Sequence, residues 1–256
     1  MTEEIRCKVE YGIATVTLNR PEKRNAITAA MLEGLDATLR ELAADIAVRV
    51  VVLRGEGKVF CSGADLRELS SRPDVGDVEG WIVGVFQRLE GLRQPTIAMI
   101  QGDALAGGCE LALHCDLRVA SEKARFNIPV ARLGFILPFA FGQKLVEIVG
   151  PAHARQMLLT GGFVDARRAY EIGMIHQLVP AEQLEAAAYD LAATIADNSP
   201  LSVSGLKKMI LRAISLRERI DHGDIDEIVK HSQKSADAVE GVTAMLEKRK
   251  PRFHGE

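Results

Sequence analysis

Residues 95–126 read PTIAMIQGDALAGGCELALHCDLRVASEKARF, and this stretch decides the fold class. The apolar run at 95–100 is typical of a buried strand, and LRVA at 117–120 of a second, shorter one. Between them lies a turn with paired glycines, Gly107 and Gly108, which opens a helix. The succession of strand, turn, helix and strand is typical of an α/β unit with a mostly parallel sheet.

The sequence before this stretch repeats the same alternation of strand and helix. IATVTL at 13–18 predicts a strand, and Gly12 predicts a turn that pairs it with a strand near 5–10. VRVVVLRG at 48–55 is almost continuously β-branched, which is typical of a strand buried on both faces. Two helices are expected between these strands, one capped by Thr28 and ending near Ala44, and one over 78–91.

Beyond about residue 140 the pattern becomes mostly helical. Ser199-Pro200 begins a long helical region that continues to the basic tail EKRKPRF at 247–253. We therefore expect residues 1–195 to form an α/β core. Residues 196–256 should form a helical C-terminal region that covers this core or a neighbouring subunit.

Composition excludes several classes of protein. The 256 residues carry a net charge of −3 with no basic stripe, so nucleic acid is not an expected partner. No apolar run approaches the roughly 20 residues that span a bilayer. The charged N-terminus MTEEIRCKVE lacks the apolar segment of a signal peptide, so we expect a cytoplasmic location. The four cysteines show neither zinc spacing nor a disulfide framework, so we expect buried thiols and no metal site.

Glu110 is a lone carboxylate in an otherwise apolar helix start. The first amides of a helix lack intrahelical partners, so Gly107 can offer its N–H to a ligand oxygen. Apolar surroundings raise a carboxyl pKa and a helix N-terminus lowers it, and a carboxylate between those influences is suited to move protons. The alternative is a solvated first-turn glutamate that only complements the helix dipole.

A second glycine-bearing turn, FCSGADL at 60–66, follows the strand at 48–55. Its Ala64 can supply a second backbone N–H. Two such donors aimed at one carbonyl oxygen form an oxyanion hole, which stabilises an enolate. The alternative is an ordinary strand-to-helix loop in which Asp65 caps a helix.

These two motifs belong to an ordered set that resembles the enoyl-CoA hydratase/isomerase family, the crotonase superfamily. The set also includes NRPEKRNAI at 19–27, GQKLVEIVG at 142–150 and EGVTAMLEKRKPRF at 240–253. The resemblance covers almost the whole chain. It implies a core of repeated ββα units with a helical C-terminal region. It also implies acyl-CoA thioester substrates, no separate cofactor because CoA is part of the substrate, and a homotrimer or dimer of trimers.

The resemblance also implies roles for individual residues. The amides of Ala64 and Gly107 correspond to the pair that holds the thioester oxygen, and Glu110 corresponds to the first of two catalytic glutamates. The CoA-binding positions that it implies are Lys23, Arg24, Ser62, Asp65 and Leu66.

The sequence departs from the family pattern at two places. The second glutamate would occupy the position of Val130 in FNIPV (126–130), and no nearby acid replaces it. In ILPFAFG (136–142), the family has a glycine pair after the proline where this chain has phenylalanines. The residues expected to shape the acyl pocket are Trp81, Val130, Phe139 and Phe141.

These features favour a hydratase-like lyase that works through an enolate with Glu110 as acid and base. A single carboxylate also suits a double-bond isomerase, or decarboxylase or lyase chemistry. Without a partner at Val130, a non-catalytic acyl-CoA-binding protein remains an alternative. RNA binding, known in one branch of the family, is disfavoured because the helix over 28–46 carries four acids and one arginine.

Overall fold

The computed structural model describes residues 4–65, 67–68, 75–214 and 221–255. The described strands, in chain order, are β1 (Ile5–Glu10), β2 (Ile13–Leu18), β3 (Val50–Gly55), β4 (Thr96–Ile100), β5 (Ala104–Leu105), β6 (Leu117–Ser121), β7 (Arg125–Asn127), β8 (Val164–Asp165) and β9 (Gln177–Val179). The described helices are α1 (Ala29–Ala44), α2 (Val75–Gly91), α3 (Gly107–Leu113), α4 (Phe139–Thr160), α5 (Ala166–Glu171), α6 (Leu184–Ala196), α7 (Pro200–Ile214), α8 (Gly223–Gln233) and α9 (Ala236–Leu246).

Within the described residues, the main sheet has the order β1-β2-β3-β4-β6-β9, and β5, β7 and β8 form a second, smaller sheet. β1 pairs with β2 in the antiparallel sense, and every later pair in the main sheet is parallel. The predicted α/β class is therefore confirmed, as are the strands expected near 5–10, 13–18, 48–55, 95–100 and 117–120. The sequence analysis missed β5, β7, β8 and β9, because strands of two or three residues are too short to show a period-2 pattern.

Helices cover both faces of the main sheet. Alternate β3 residues point to opposite faces, and Val51 and Leu53 join the larger apolar cluster with α1. Val50 and Val52 join a smaller cluster with Leu184 and its neighbours on α6. Burial on both faces explains why β3 is a continuous apolar run.

Capping of α1 follows the prediction. Thr28 lies just before the helix in an extended conformation, and its side chain accepts a hydrogen bond from the Met31 amide. Satisfying a free N–H in this way is the usual role of an N-cap threonine. The helix therefore begins where the sequence predicts.

The last helix packs tightly on the α/β core of its own chain. A Cβ on Gly241 of α9 would lie 2.4 Å from the Leu133 carbonyl oxygen. A Cβ on Gly134, which has φ +71°, would lie 2.5 Å from the Asp237 oxygen. The C-terminal region thus covers residues 130–134 of the same chain. The proposed boundary at residues 195 and 196 stays a prediction. Among the described helices, none combines the length and apolarity needed to cross a membrane.

Candidate active site

Two glycines bring the turn at residues 60–65 against the turn at the start of α3. Gly63 has φ +89°, and a Cβ there would lie 2.8 Å from the Ala106 Cβ. A Cβ on Gly108 would lie 2.3 Å from the Cys61 carbonyl oxygen. Neither position has room for a side chain. The first glycine of the pair differs, because a Cβ on Gly107 would meet no atom closer than 3.7 Å.

The amides of Ala64 and Gly107 lie close together at the meeting point of the two turns. The Ile27 amide donates to the Gly63 oxygen at 2.8 Å, and the Asp65 amide donates to the Ile27 oxygen at 2.9 Å. Ala64 lies between these two bonds, so its own N–H points away from Ile27. Gly107 begins α3 and has no intrahelical acceptor. In the described part of the chain neither amide donates to a protein group.

Ala106, the residue before Gly107, is held in a strained backbone conformation. Its φ of 48° and ψ of −124° lie outside the regions that alanine normally adopts. Its amide donates to the Asn127 oxygen at 2.8 Å, and its oxygen accepts from the amides of Cys109 and Glu110 at 2.9 and 3.1 Å. These hydrogen bonds hold the conformation in place. Strain of this kind concentrates at functional sites.

Glu110 is buried without a partner. It is 1% exposed, and neither carboxyl oxygen has a hydrogen-bond partner among the described residues. Burial raises the pKa of the Glu110 carboxyl well above its usual range, which overrides the opposing influence of the helix start. The carboxyl is therefore neutral near its ordinary pKa and ionises only at higher pH.

His114 lies four residues further along but does not hold the Glu110 carboxyl. Its Nδ1 lies 2.8 Å from the backbone oxygen of Glu110. Burial lowers the pKa of His114 to about 4, so its ring is neutral at pH 7. The histidine completes the end of α3 and leaves the carboxyl of Glu110 free.

Glu110 and the two free amides line one apolar cavity of about 370 Å³. We call it the Glu110 cavity. Among the described residues that line it, Glu110 is the one carboxylate and Arg132 the one cation. Arg132 is exposed and donates from Nε to the Thr160 oxygen at 3.0 Å. Met245 of α9 also lines the cavity, so the C-terminal helix contributes to the site of its own chain.

Two of the four expected pocket residues line this cavity and two do not. Val130 and Phe141 are lining residues. Phe139 instead stacks on His222, with ring centroids 4.4 Å apart, and lines a different cavity. Two residues along a helix point about 200° apart, so Phe139 and Phe141 cannot face the same side. Trp81 packs half-buried against the main core, and it is its neighbour Ile82 that reaches the Glu110 cavity.

The described residues expected to contact CoA lie on two adjacent segments, the N-terminal turn with Lys23 and Arg24 and the loop of residues 62–65. Ser62 lines the cavity, and its amide donates to the Arg24 oxygen at 3.1 Å. Arg24 and Lys23 are exposed, and the Arg24 guanidinium lies 2.8 Å from Asp103. The Asp65 carboxylate lies 3.4 Å from the Arg20 guanidinium, which ties the loop to the N-terminal turn. Leu66 lies outside the described residues.

The sequence analysis overlooked one polar side chain in the cavity, that of Asn127. It is 4% exposed, it lines the Glu110 cavity, and its Oδ1 has no hydrogen-bond partner within the described residues. The sequence did hold a signal, because Asn127 stands between Phe126 and Ile128, which are both buried apolar residues. A polar residue that is buried within such an apolar run normally has a hydrogen-bond partner, so its position indicates a polar contact or a ligand.

Comparisons with known proteins agree with this geometry. The profile of the family described as enoyl-CoA hydratase/isomerase matches residues 8–256. The 2,3-dehydroadipyl-CoA hydratase of Escherichia coli is 34% identical over 247 residues, covering 96% of each chain. The short-chain-enoyl-CoA hydratase of Clostridium acetobutylicum is 35% identical over 251 residues, covering 94% of each.

A solved structure agrees in fold over the full length. The crystal structure of an enoyl-CoA hydratase/isomerase from Xanthobacter autotrophicus Py2 superposes with a TM-score of 0.90 at 32% identity, and it covers 100% of both chains. The match of a family profile to nearly the whole chain, together with these relatives, establishes the family. The chain belongs to the enoyl-CoA hydratase/isomerase family, the crotonase superfamily.

Proposed function

We propose that this protein is an acyl-CoA enzyme that forms a thioester enolate, with hydration of a 2-enoyl-CoA as its reaction. One apolar cavity carries the proposal, because it holds a buried carboxyl, Glu110, and two amides, Ala64 and Gly107, that have no partner among the described residues. An unpaired buried carboxyl is costly, and a binding or catalytic role explains its presence. The two hydratase relatives favour hydration over other enolate chemistry.

In the proposed reaction Glu110 is both base and acid. The ionised carboxylate takes a proton from water as the water oxygen bonds to the β-carbon of the substrate. The electron pair of the double bond moves onto the thioester oxygen, where the amides of Ala64 and Gly107 stabilise the enolate. Glu110 then gives the same proton to the α-carbon, and the carboxylate is restored.

A second candidate reaction is double-bond isomerisation of a 3-enoyl-CoA. It is favoured by one observation: Val130 lines the cavity where the resemblance implies a second glutamate, so Glu110 works alone. A single carboxylate can remove a proton from the α-carbon and return it to the γ-carbon. That reaction needs no base for water.

The CoA portion of the substrate would follow the loop of residues 62–65 and the neighbouring Lys23 and Arg24, and no separate cofactor takes part. Assembly as a homotrimer or dimer of trimers is part of the same proposal. It is supported by exposed apolar side chains on α7, since Leu201 is 82% and Met209 59% exposed. Faces of this kind mark protein contacts.

The test is a substrate panel read by mass spectrometry. Crotonyl-CoA, a 3-enoyl-CoA and a malonyl-type thioester are incubated with the protein, and the isomerase reaction, which leaves the mass unchanged, is followed by chromatographic separation of the 3-enoyl-CoA from its 2-enoyl-CoA product. A gain of one water on crotonyl-CoA supports hydration, and conversion of the 3-enoyl-CoA alone supports the second candidate. Absence of any thermal shift with millimolar acetoacetyl-CoA would overturn the whole proposal. Val130→Glu serves as the matched variant, because it should raise hydration in part by adding the second carboxylate.

A further inference from the structure

The Glu110 cavity contains a second buried polar group, which the proposed reaction does not use. Asn127 is 4% exposed, and its Oδ1 is unpartnered within the described residues. A carboxamide oxygen that is buried without a partner costs free energy comparable to a lost hydrogen bond. Asn127 is a lining residue of the same cavity as Glu110. A ligand atom in that cavity is therefore the natural partner for Asn127.

The backbone fixes where this carboxamide lies relative to the proposed chemistry. In the parallel ladder of β5 and β7, Asn127 pairs with Leu105, and paired residues direct their side chains to the same face. Leu105 also lines the cavity. Ala106 is hydrogen-bonded to Asn127 on one side and to Glu110 on the other. Asn127 and Glu110 therefore flank the peptide that leads into Gly107.

Two oxygen atoms of a hydrated acyl chain need hydrogen-bond partners in this cavity. In the proposed reaction, the amides of Ala64 and Gly107 donate hydrogen bonds to the thioester oxygen. The next oxygen that hydration introduces is on the β-carbon, close to Glu110. A carboxamide can donate to that oxygen or accept from it, and it does not exchange protons near neutral pH, so it does not compete with Glu110 as acid or base.

We propose that the Asn127 carboxamide binds the β-oxygen of the acyl chain, the oxygen that comes from water, and presents it to Glu110. The inference rests on the proposed function and deepens it. It predicts that the substrates or products of the site are acyl thioesters with an oxygen on the β-carbon. It also means that a neutral carboxamide binds the water oxygen in this chain, where Val130 occupies the position of a second carboxylate. In the direction of dehydration, the same contact orients the leaving hydroxyl group.

The experiment compares two ligands that differ in the β-oxygen. Acetoacetyl-CoA carries that oxygen and has no double bond to hydrate, and butyryl-CoA lacks it. Calorimetric titrations of both are made with the wild type, Asn127→Leu and Asn127→Ser, and melting curves check that each variant folds. Ile136→Ala is the matched control, because Ile136 lines the same cavity and offers only apolar contacts.

We expect Asn127→Leu to weaken acetoacetyl-CoA binding roughly tenfold and to change butyryl-CoA binding less than about twofold, as loss of one buried hydrogen bond predicts. Asn127→Ser should retain part of the preference through its hydroxyl group. Ile136→Ala should affect both ligands alike. For hydration, Asn127→Leu should lower kcat more than it raises KM.

Two contrary results are distinguishable. If the wild type binds both thioesters and Asn127→Leu weakens them equally or not at all, Asn127 does not bind the β-oxygen and the proposed function stands. If the wild type binds neither thioester, the proposed function fails and the role of Asn127 fails with it. Should Asn127→Leu not fold, the ratio of the two affinities in Asn127→Ser decides in the same way.

Discussion

Helix α3 begins at the Glu110 cavity and ends beside a second cavity, and the two cavities differ in how they hold buried charge. The second cavity, the Lys144 cavity, is lined by Glu90, His114, Lys144 and Glu147. Lys144 is 7% exposed, and its ammonium lies 2.5 Å from Glu90 and 2.8 Å from Glu147. In the Glu110 cavity, Glu110 is buried more completely and has no partner in the described part of the chain.

The difference is that the Lys144 charge has compensating partners and the Glu110 carboxyl has none among the described residues. Lys144 keeps its charge because the two carboxylates raise its pKa against the cost of burial. Glu110 has no such compensation, and burial alone raises its pKa. A buried ionisable group that is paired holds elements together, whereas one left unpaired is adapted to a ligand. His114 lines the Lys144 cavity as a neutral ring, because burial lowers its pKa to about 4.

The largest expected effect of this contrast is on turnover. Glu110→Gln should lower kcat on the natural reaction by about 10²–10⁴, which is the usual contribution of a general acid–base group. Acetoacetyl-CoA binding should persist, since the proposed donors to the thioester are backbone amides. The matched control is Glu147→Gln, which alters a carboxylate of the Lys144 cavity and should leave kcat within about threefold. Equal turnover in Glu110→Gln and the wild type would remove Glu110 from the mechanism.

Gly107 and Gly108, at the start of α3, should differ from each other in the effect of substitution by alanine. Gly108→Ala forces a Cβ to within 2.3 Å of the Cys61 oxygen and should cost about 3 kcal/mol of folding stability. Gly107→Ala should leave the free energy of unfolding within about 0.5 kcal/mol of the wild type, because its Cβ has ordinary contacts. That methyl group would lie 3.8 Å from the Ala64 nitrogen, so acyl-CoA binding should weaken.

Denaturant unfolding and calorimetric titration of the two glycine variants measure these effects. A stable Gly108→Ala protein would mean that the turns do not meet as closely as the structure shows. Unchanged ligand binding by Gly107→Ala would mean that the thioester oxygen is held elsewhere.

A smaller loss of folding stability is expected when the ion pairs of the Lys144 cavity are broken. Removing one partner of a fully buried pair costs about 3–5 kcal/mol. The side chains of Glu90 and Glu147 are 21% and 23% exposed, so solvent screens part of this cost. We therefore expect Lys144→Met to lose about 2 kcal/mol of stability in urea unfolding, with kcat little changed. A large loss of kcat without a loss of stability would show that the Lys144 cavity takes part in catalysis.

Local sequence signals predicted the elements well and the cavity lining only partly. The β-branched run of β3, the Thr28 cap and the turn before Glu110 are properties of neighbouring residues, so they could be read directly. Which side Phe139 faces depends on the phase of α4 against its neighbours. The contact of Gly108 with Cys61 joins residues 47 positions apart, and β9 depends on its pairing with β6. Such long-range contacts leave little trace in a single sequence.

The smallest expected effect is a pH-dependent difference in stability between the wild type and Glu110→Gln. The folded protein holds the Glu110 proton to a pH well above 4.5, whereas the unfolded chain releases it near that value. Between those two pKa values the unfolded state binds fewer protons, so the stability that the neutral carboxyl contributes is lost as pH rises. The slope is at most about 1.4 kcal/mol per pH unit for one proton.

The measurement is the free energy of unfolding in urea at several pH values from 4 to 8. Relative to Glu110→Gln, the wild type should be most stable near pH 4 and should lose that advantage steadily as pH rises. His114 acts in the opposite direction, because its lowered pKa of about 4 removes stability as pH falls, but both proteins contain it and its contribution cancels in the difference. If the difference stays constant across the range, the Glu110 carboxyl ionises as easily as in the unfolded chain. The contrast between a compensated and an uncompensated buried charge would then have to be abandoned.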